Sequence, residues 1–284
     1  MNNQLLSLLK QPIRILNHAN EQHIFSKPNN PLASFAIDDA IAQTVSLQKA
    51  PTTFRIWVHD KTVVLGIPDG RLPYLQDGLS YLDSVGYEAI IRNSGGLAVA
   101  LDRQVVNLSI VLPDATHLSI NEAYDLMYAL IQHIFKDKTD LIEAYEIVGS
   151  YCPGDYDLSI GGIKFAGISQ RRVRNGVAVQ IYLDIAGLGQ KRAEIVQQFY
   201  QVSRKGEQTT YEYPDVNPNV MGSINELLGT HFTAEQFITH LIDQLSEHSN
   251  QITHSLLIEE EDIFNKRYDQ MIKRNENVYD VVDT

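Results

Sequence analysis

Apolar residues recur along the chain in two patterns, one helical and one extended. From Ile120 to Phe135 they return every three or four residues, which predicts an amphipathic helix with Asn121 as its cap. Short apolar runs bounded by glycine, proline or polar residues predict strands. Further helices are expected from Ser34 onward and over 75–84, 193–205, 223–228, 234–248 and 259–284, the last as one long surface helix. Strands are expected at 53–58, 62–67, 88–92, 97–101, 107–112, 143–148, 163–169 and 177–183, the second as the hairpin partner of the first.

Helices and strands are mixed along the chain without strict alternation. This order favours an α+β fold, with a mixed, mostly antiparallel sheet flanked by helices. Residues 1–33 are polar, show no sustained period and are interpreted as an N-terminal extension that lies on the main domain. We expect the main domain to span 34–248 and a helical C-terminal tail to span 249–284.

Composition narrows the classes of function. With 23 basic and 35 acidic residues among 284, the net charge of -12 argues against a nucleic-acid partner. No run approaches the ~18 apolar residues that a membrane span needs, and the first ten residues predict no secretory signal. The single cysteine, Cys152, excludes an internal disulfide, and no metal-ligand spacing is present. We therefore expect a soluble, cytoplasmic protein with neither a metal nor a membrane partner.

A glycine-rich turn follows one of the predicted strands. It reads Arg92-Asn93-Ser94-Gly95-Gly96. Consecutive glycines let backbone N–H groups approach a ligand closely, although an ordinary tight hairpin turn explains the same residues. No Gly-Lys-Ser/Thr follows, so this segment is not a Walker phosphate loop.

The neighbours of Cys152 place it on a turn. Pro153 follows it directly, and Gly149 and Gly154 flank it. A lone free cysteine is most often a small buried hydrophobe. On a polar loop it is instead a candidate nucleophile, provided that something stabilises its thiolate. The local residues leave both interpretations open.

Lys164 stands in an apolar strand after a two-glycine turn. A lysine inside such a strand is unusual unless its ammonium has a partner or a chemical task. A hairpin that connects Cys152 and Lys164 would bring the ammonium beside the thiol and favour its thiolate. The alternative is a lysine that faces outward from an alternating strand.

Three segments, in this order, resemble the superfamily of lipoate–protein ligases, octanoyltransferases and biotin ligases. They are RNSGGLAV at 92–99, NLS at 107–109 and KFAGISQ at 164–170. The segment GSYCPGDYDL at 149–158 further resembles the members that transfer octanoyl groups from the glycine cleavage H protein to other proteins. The resemblance covers roughly 34–248. It implies the superfamily's catalytic domain, with an acyl-chain tunnel beside the glycine turn.

The resemblance implies an acyltransferase of protein lipoylation that needs no cofactor. Such an enzyme moves an octanoyl or lipoyl group from a lysine of the octanoylated H protein to a lysine of a dehydrogenase lipoyl domain, through a cysteine thioester. Cys152 matches the acyl-carrying cysteine. Lys164 matches the lysine beside it, which would favour the thiolate or stabilise an oxyanion. The residues matched to substrate binding are Arg92, Ser94, Gly95, Gly96 and Gly167.

The chain departs from the ATP-dependent ligases of this superfamily. Asn93, Leu97 and Leu101 stand where those ligases have arginine, glycine and histidine, and only Asp102 remains of a His-Asp pair. An amide and its product amide are nearly equal in free energy, so transfer between them needs no ATP. The alternatives are octanoyl transfer from acyl carrier protein, ATP-dependent lipoate ligation, and a non-catalytic binder of lipoyl domains.

A short basic run could receive acidic protein partners. Arg171, Arg172 and Arg174 lie together at the end of a predicted strand. A solvated strand end without any binding role explains the same three residues.

Overall fold

The computed structural model describes residues 3–113, 116–249 and 251–279. None of the helices in these ranges is long and apolar enough to cross a membrane. The helices are α1 (Asn3–Leu9), α2 (Pro31–Ser46), α3 (Leu75–Ser84), α4 (Ile120–Ile134), α5 (Gly189–Arg204), α6 (Ile224–Leu228), α7 (Ala234–Ser246), α8 (Ile258–Arg274) and α9 (Glu276–Tyr279). The strands are β1 (Ile13–Asn17), β2 (His23–Ile24), β3 (Lys27–Pro28), β4 (Thr52–Trp57), β5 (Thr62–Leu65), β6 (Glu88–Ile91), β7 (Val99–Leu101), β8 (Val105–Leu112), β9 (Ile142–Ala144), β10 (Asp157–Ile160), β11 (Ile163–Val173), β12 (Gly176–Asp184) and β13 (Ile252–Thr253).

A large mixed sheet forms the centre of the described structure. Its strand order is β13-β1-β4-β8-β12-β11-β10-β9. The pairings of β1 with β13 and β4 are parallel, and those from β4 through to β9 are antiparallel. The predicted α+β fold with a mostly antiparallel sheet is therefore confirmed. A smaller sheet in the order β6-β5-β7 lies beside it.

The two faces of the large sheet have different roles. Successive side chains of a strand point to opposite faces, and directly paired residues share one face. One face carries aliphatic side chains such as Leu108 and Ile181, which pack in a single core with residues of α4 and α7. The strand register aligns a second set of side chains on the opposite face, and α2 packs over that face. One row of that set runs across four strands as Gly167, Tyr182, Asn107 and Trp57.

The predicted hairpin between 53–58 and 62–67 is wrong. Both edges of β4 are occupied, one by β1 and the other by β8, so β5 has no free edge of β4 to pair with. Instead, β5 pairs with β6 and β7 in the smaller sheet. The glycine turn connects β6 to β7, so this change of sheet places the turn opposite the large sheet.

The cap of α4 also differs from the expectation. Ser119 is the N-cap: its side chain accepts the Glu122 N–H, and the Glu122 carboxylate accepts the Ser119 N–H. Asn121 lies inside the first turn. A reciprocal capping box satisfies two backbone donors, whereas a single asparagine cap satisfies one.

The C-terminal segment was expected to be one surface helix over 259–284. Instead, α8 ends at Arg274, and 280–284 lie outside the described residues. The helix ends because the buried Asn275 side chain binds the backbone of Ile91, accepting its N–H at 2.6 Å and donating to its carbonyl at 3.1 Å. One side of α8 is buried through Phe264 and Tyr268, so α8 is part of the core.

Both flanking segments contribute strands to the large sheet. β1 comes from the first 33 residues, and β13 comes from the segment after residue 248. The division into 1–33, 34–248 and 249–284 stays a prediction.

A buried ion pair joins the two ends of the chain. Arg14 on β1 donates to both carboxylate oxygens of Glu260 on α8, at 3.0 and 2.7 Å. The hydroxyl of Thr44 on α2 donates to the same carboxylate at 2.6 Å. Arg14 and Glu260 are 1% and 0% exposed, so water cannot replace either partner.

We expect Glu260→Ala to lower the free energy of unfolding by about 3–5 kcal/mol, because it leaves the buried guanidinium without its charge partner. Urea denaturation measures the change. The matched control is Asp60→Ala, which breaks the exposed Arg103–Asp60 pair and should change stability by no more than about 1 kcal/mol. Equal losses in the two variants would contradict the structural role of the Arg14–Glu260 pair.

Candidate active site

A cavity of about 320 Å³ lies between the two sheets. The row of Gly167, Tyr182, Asn107 and Trp57 lines it on the side of the large sheet. Opposite this row, the smaller sheet and its turn contribute Val64, Arg92, Gly95, Gly96, Val99 and Leu101. Further lining comes from Phe35 of α2, from the start of α4 and from the loop 152–157. The volume falls at the low end of the range of about 300–1,000 Å³ that is typical of small-molecule sites.

The glycine turn is held in place by close contact between backbones. A Cβ atom on Gly66, the residue after β5, would lie 1.9 Å from the carbonyl oxygen of Gly96. Gly96 itself has φ +98°, a conformation that favours glycine. The sequence interpretation missed Gly66, although a glycine directly after a strand is a recognised sign of close backbone approach.

Cys152 lies half-buried at this cavity. Its backbone is left-handed, with φ +46°, as expected of a residue in a tight loop. The sulfur accepts the backbone N–H of Leu97 at 3.1 Å and lies 3.5 Å from Nη2 of Arg92. A cationic group and a backbone N–H both stabilise a thiolate. The geometry therefore favours the nucleophile interpretation over that of a small core residue.

Lys164 is fully buried beneath the cysteine loop. Its ammonium donates to the carbonyl oxygens of Tyr151 and Cys152, each at 2.9 Å, and to Oγ of Ser150 at 3.1 Å. It also pairs with Asp157 at 2.8 Å. Burial raises the pKa of Asp157, and the ammonium opposes that change. The Lys164 side chain thus binds the backbone carbonyl of Cys152 and makes no hydrogen bond to its sulfur. The two residues lie together as expected, but through the backbone of the cysteine and not through its thiol.

The remaining predicted binding residues divide into two groups. Arg92, Gly95, Gly96 and Gly167 line the cavity. Ser94 does not; it is 3% exposed, and its Oγ has no hydrogen-bond partner among the described residues. At Gly167 a Cβ atom would lie 2.9 Å from the ring of Tyr182, so glycine leaves room for that ring.

The basic run is largely engaged within the chain. Arg171 makes two hydrogen bonds to the carboxylate of Asp39, at 2.8 and 3.0 Å. Arg172 donates to the carbonyl of Leu118 at 2.8 Å. Arg174 is exposed in the turn between β11 and β12. These contacts favour a structural role for Arg171 and Arg172.

Two further polar residues support the turn and were missed by the sequence interpretation. The Asp69 carboxylate accepts the Gly66 N–H at 2.7 Å and the Tyr200 hydroxyl at 2.9 Å. That hydroxyl accepts the N–H of Ala98 at 3.1 Å. Nothing in the local sequence connects Tyr200, on α5, with a turn a hundred residues earlier. Within the described ranges, no group of three or more His, Cys, Asp or Glu residues could hold a metal ion.

Residues 30–246 match the family model of the lipoyl protein ligase A/B catalytic domain. The chain belongs to this family.

Curated relatives within the lipoyl protein ligase A/B family cover nearly the whole chain. An octanoyl-[GcvH]:protein N-octanoyltransferase from Oceanobacillus iheyensis is 51% identical, over 94% of this chain and 96% of that protein. A lipoyl-[GcvH]:protein N-lipoyltransferase from Listeria monocytogenes is 46% identical, over 96% and 98% of the two chains. Because these relatives are named as acyltransferases, the expectation of an acyltransferase is confirmed.

Solved structures of the family share the fold. A lipoate-protein ligase A bound with ATP superposes with a TM-score of 0.65 at 17% identity, covering 92% of this chain and 95% of that one. A bi-partite lipoate protein ligase from Thermoplasma acidophilum gives 0.62 at 16% identity, covering 92% of each chain. At these identities the likeness establishes the fold alone. It confirms the expected architecture of the lipoate ligase catalytic domain.

We expect Gly96→Ala to slow the alkylation of Cys152 by iodoacetamide at least about tenfold, because a small displacement of reacting groups has a large effect on rate. The new Cβ atom would lie 2.3 Å from Nη2 of Arg92 and 2.8 Å from the Cys152 sulfur, so both must move. Gly206→Ala is the matched control: its φ is +78°, and a Cβ atom there meets nothing within 4 Å. Unchanged alkylation in the Gly96 variant would show that the turn does not hold the sulfur.

Burial raises the pKa of Asp69 from 3.8 to about 6, against the opposing hydrogen bonds from Gly66 and Tyr200. The folded chain therefore binds this proton more tightly than the unfolded chain does. That stabilisation is complete below about pH 4 and is lost as the pH rises through about 6. We expect the stability difference between the wild type and Asp69→Asn, measured by urea denaturation, to fall across this interval. A difference that is independent of pH would contradict the assignment.

Proposed function

We propose that this protein transfers an octanoyl or lipoyl group from a lysine of the glycine cleavage H protein to a lysine of a dehydrogenase lipoyl domain, through a thioester on Cys152. The observation that carries the proposal is the position of the Cys152 sulfur. It lies at a cavity of acyl-chain size, in contact with the Leu97 N–H and the Arg92 guanidinium. The names of the relatives, which specify octanoyl or lipoyl transfer and GcvH, support the proposed donor.

The reaction balances without ATP. In the first step the Cys152 thiolate attacks the carbonyl carbon of the donor amide. The C–S bond forms, the C–N bond breaks, and the lysine of the donor leaves as an amine after taking up a proton. In the second step the amine of the acceptor lysine attacks the thioester, loses a proton and releases the thiolate. The covalent intermediate divides one difficult substitution into two easier ones.

The donors at the sulfur serve both steps. They stabilise the thiolate before attack. They also lie beside the carbon that becomes tetrahedral, where fixed donors stabilise a developing oxyanion. These donors are the Leu97 N–H and the guanidinium of Arg92, which the carbonyl of Leu97 orients at 2.9 Å.

The cavity suits the hydrocarbon part of the acyl group. Phe35, Val64, Val99 and Leu101 are apolar lining residues from three different elements. Each methylene that leaves water for such surroundings contributes about 0.8 kcal/mol to binding. This binding energy holds the acyl carbonyl at the sulfur while the protein part of the substrate is exchanged.

Lys164 positions the nucleophile in this proposal. Its ammonium fixes the carbonyl oxygens of Tyr151 and Cys152, and the partner charge on Asp157 keeps it in place. The left-handed backbone at Cys152 directs the sulfur towards Leu97.

We expect Cys152→Ala to lower octanoyl transfer from the octanoylated H protein to a lipoyl domain by at least about 10³-fold, since no other nucleophile replaces the thiolate. The mass gain of the acceptor domain, in a reaction without ATP, measures the transfer. Urea denaturation serves as the folding control. Transfer by the alanine variant at a rate close to that of the wild type would contradict the mechanism.

Assays with different octanoyl donors distinguish the proposed activity from its alternatives. Octanoyl acyl carrier protein and free octanoate with ATP should each give far slower loading of the lipoyl domain than the octanoylated H protein gives. Faster loading from octanoyl acyl carrier protein would show that the protein is an octanoyltransferase that uses acyl carrier protein as its donor. A requirement for ATP would assign ligation. A stable complex with the lipoyl domain, without any change of mass from any donor, would assign a non-catalytic binder.

A further inference from the structure

One peptide group beside the cysteine is fixed at both ends by side chains, one from the start of the same turn and one from α5. The carbonyl of Leu97 accepts from Nη2 of Arg92 at 2.9 Å. The N–H on the other side of the same peptide, that of Ala98, donates to the Tyr200 hydroxyl at 3.1 Å. The N–H that contacts the Cys152 sulfur belongs to the preceding peptide, so the orientation of the Leu97–Ala98 peptide limits where that N–H can point.

Tyr200 is itself held so that its hydroxyl can accept this bond. It donates its proton to Asp69 at 2.9 Å, which turns a lone pair of the oxygen towards Ala98. The other oxygen of Asp69 accepts the Gly66 N–H at 2.7 Å. Gly66 is also the residue whose backbone contacts the carbonyl of Gly96. Asp69 thus binds both Tyr200, which holds the Ala98 N–H, and Gly66, which packs against Gly96.

All of these groups are shielded from water. Asp69 is 0% exposed and Tyr200 is 2% exposed. A buried polar group that loses its partner is costly, so the network keeps one arrangement of donors and acceptors. Although Tyr200 lies on α5 and does not line the cavity, its hydroxyl holds the peptide that follows the Leu97 N–H.

We propose that Tyr200 and Asp69 are positioning residues for acyl transfer, which aim the Leu97 N–H at the Cys152 sulfur by fixing the Leu97–Ala98 peptide. The inference rests on the proposed function, since it deepens the account of the same site. It assigns a task to two residues that do not line the cavity.

The test compares Tyr200→Phe with Tyr213→Phe. Tyr213 is buried and packs against the ring of Tyr200, at 5.7 Å between centroids, and its hydroxyl donates to the carbonyl of Pro68 at 2.7 Å. Each variant therefore loses one hydroxyl in the same region: Tyr213→Phe loses its bond to Pro68, and Tyr200→Phe loses its bonds to Asp69 and Ala98. Only Tyr200→Phe frees the Ala98 N–H.

We expect Tyr200→Phe to slow both octanoyl transfer and alkylation of Cys152 by iodoacetamide, at about pH 7, by about 10- to 100-fold relative to Tyr213→Phe. The KM for the octanoylated donor should change much less than kcat, because the cavity walls are intact. A loss of stability alone would instead expose the half-buried thiol and speed its alkylation.

Asp69→Asn provides a second variant in case Tyr200→Phe does not fold. Its amide nitrogen can donate to the tyrosine oxygen, so the bond to Ala98 survives with a less fixed hydroxyl. We expect rates between those of the Tyr213 control and Tyr200→Phe. Equal alkylation rates in the Tyr200, Asp69 and Tyr213 variants would overturn the positioning role. Alkylation does not depend on acyl transfer, so absence of transfer in the wild type would reject the proposed function, while the alkylation rates would still decide whether Tyr200 and Asp69 position the Leu97 N–H.

Discussion

The hydrogen bond from the Leu97 N–H to the Cys152 sulfur joins two parts of the fold that are built independently. The donor belongs to the turn of the smaller sheet, and the acceptor belongs to a loop that leads into the large sheet. The distance of 3.1 Å therefore depends on how the two sheets pack. The backbone contact of Gly66 with Gly96 fixes the glycine turn, and the ammonium of Lys164 fixes the cysteine loop. The cavity is the space that remains between them.

Buried ion pairs hold the fold at two places that the packing of the site and of the chain ends depends on. Lys164 with Asp157 lies under the cysteine loop, and Arg14 with Glu260 joins the two ends of the chain. Burying such pairs costs desolvation energy that their attraction only partly repays. Their value here is geometric, since an apolar replacement could not hold two adjacent carbonyl oxygens as Lys164 does. The fold thus uses charged side chains to fix the positions of specific backbone groups.

Sequence reasoning reached the parts of this structure that local patterns determine. The helix at 75–84 has the predicted bounds, and the α+β class is correct, because periodicity and turn residues act over a few positions. Pairing over long distances was not accessible, and β5 joined another sheet because β4 was already paired on both edges. At the site, motif resemblance predicted Cys152, Lys164 and the turn as candidates, and the fold brings the three together. Tyr200 could not be found, since its contact with Ala98 exists only after α5 packs on the smaller sheet.

In the proposed mechanism the acyl group passes through Cys152. The most direct measurement mixes the protein with a stoichiometric amount of octanoylated H protein, quenches at successive times and records the intact mass. Peptide mapping should place one octanoyl group on Cys152, and addition of a lipoyl domain should discharge it at least as fast as steady-state turnover. An acceptor that gains octanoate before the enzyme-bound group disappears, or an adduct on another residue, would contradict the account.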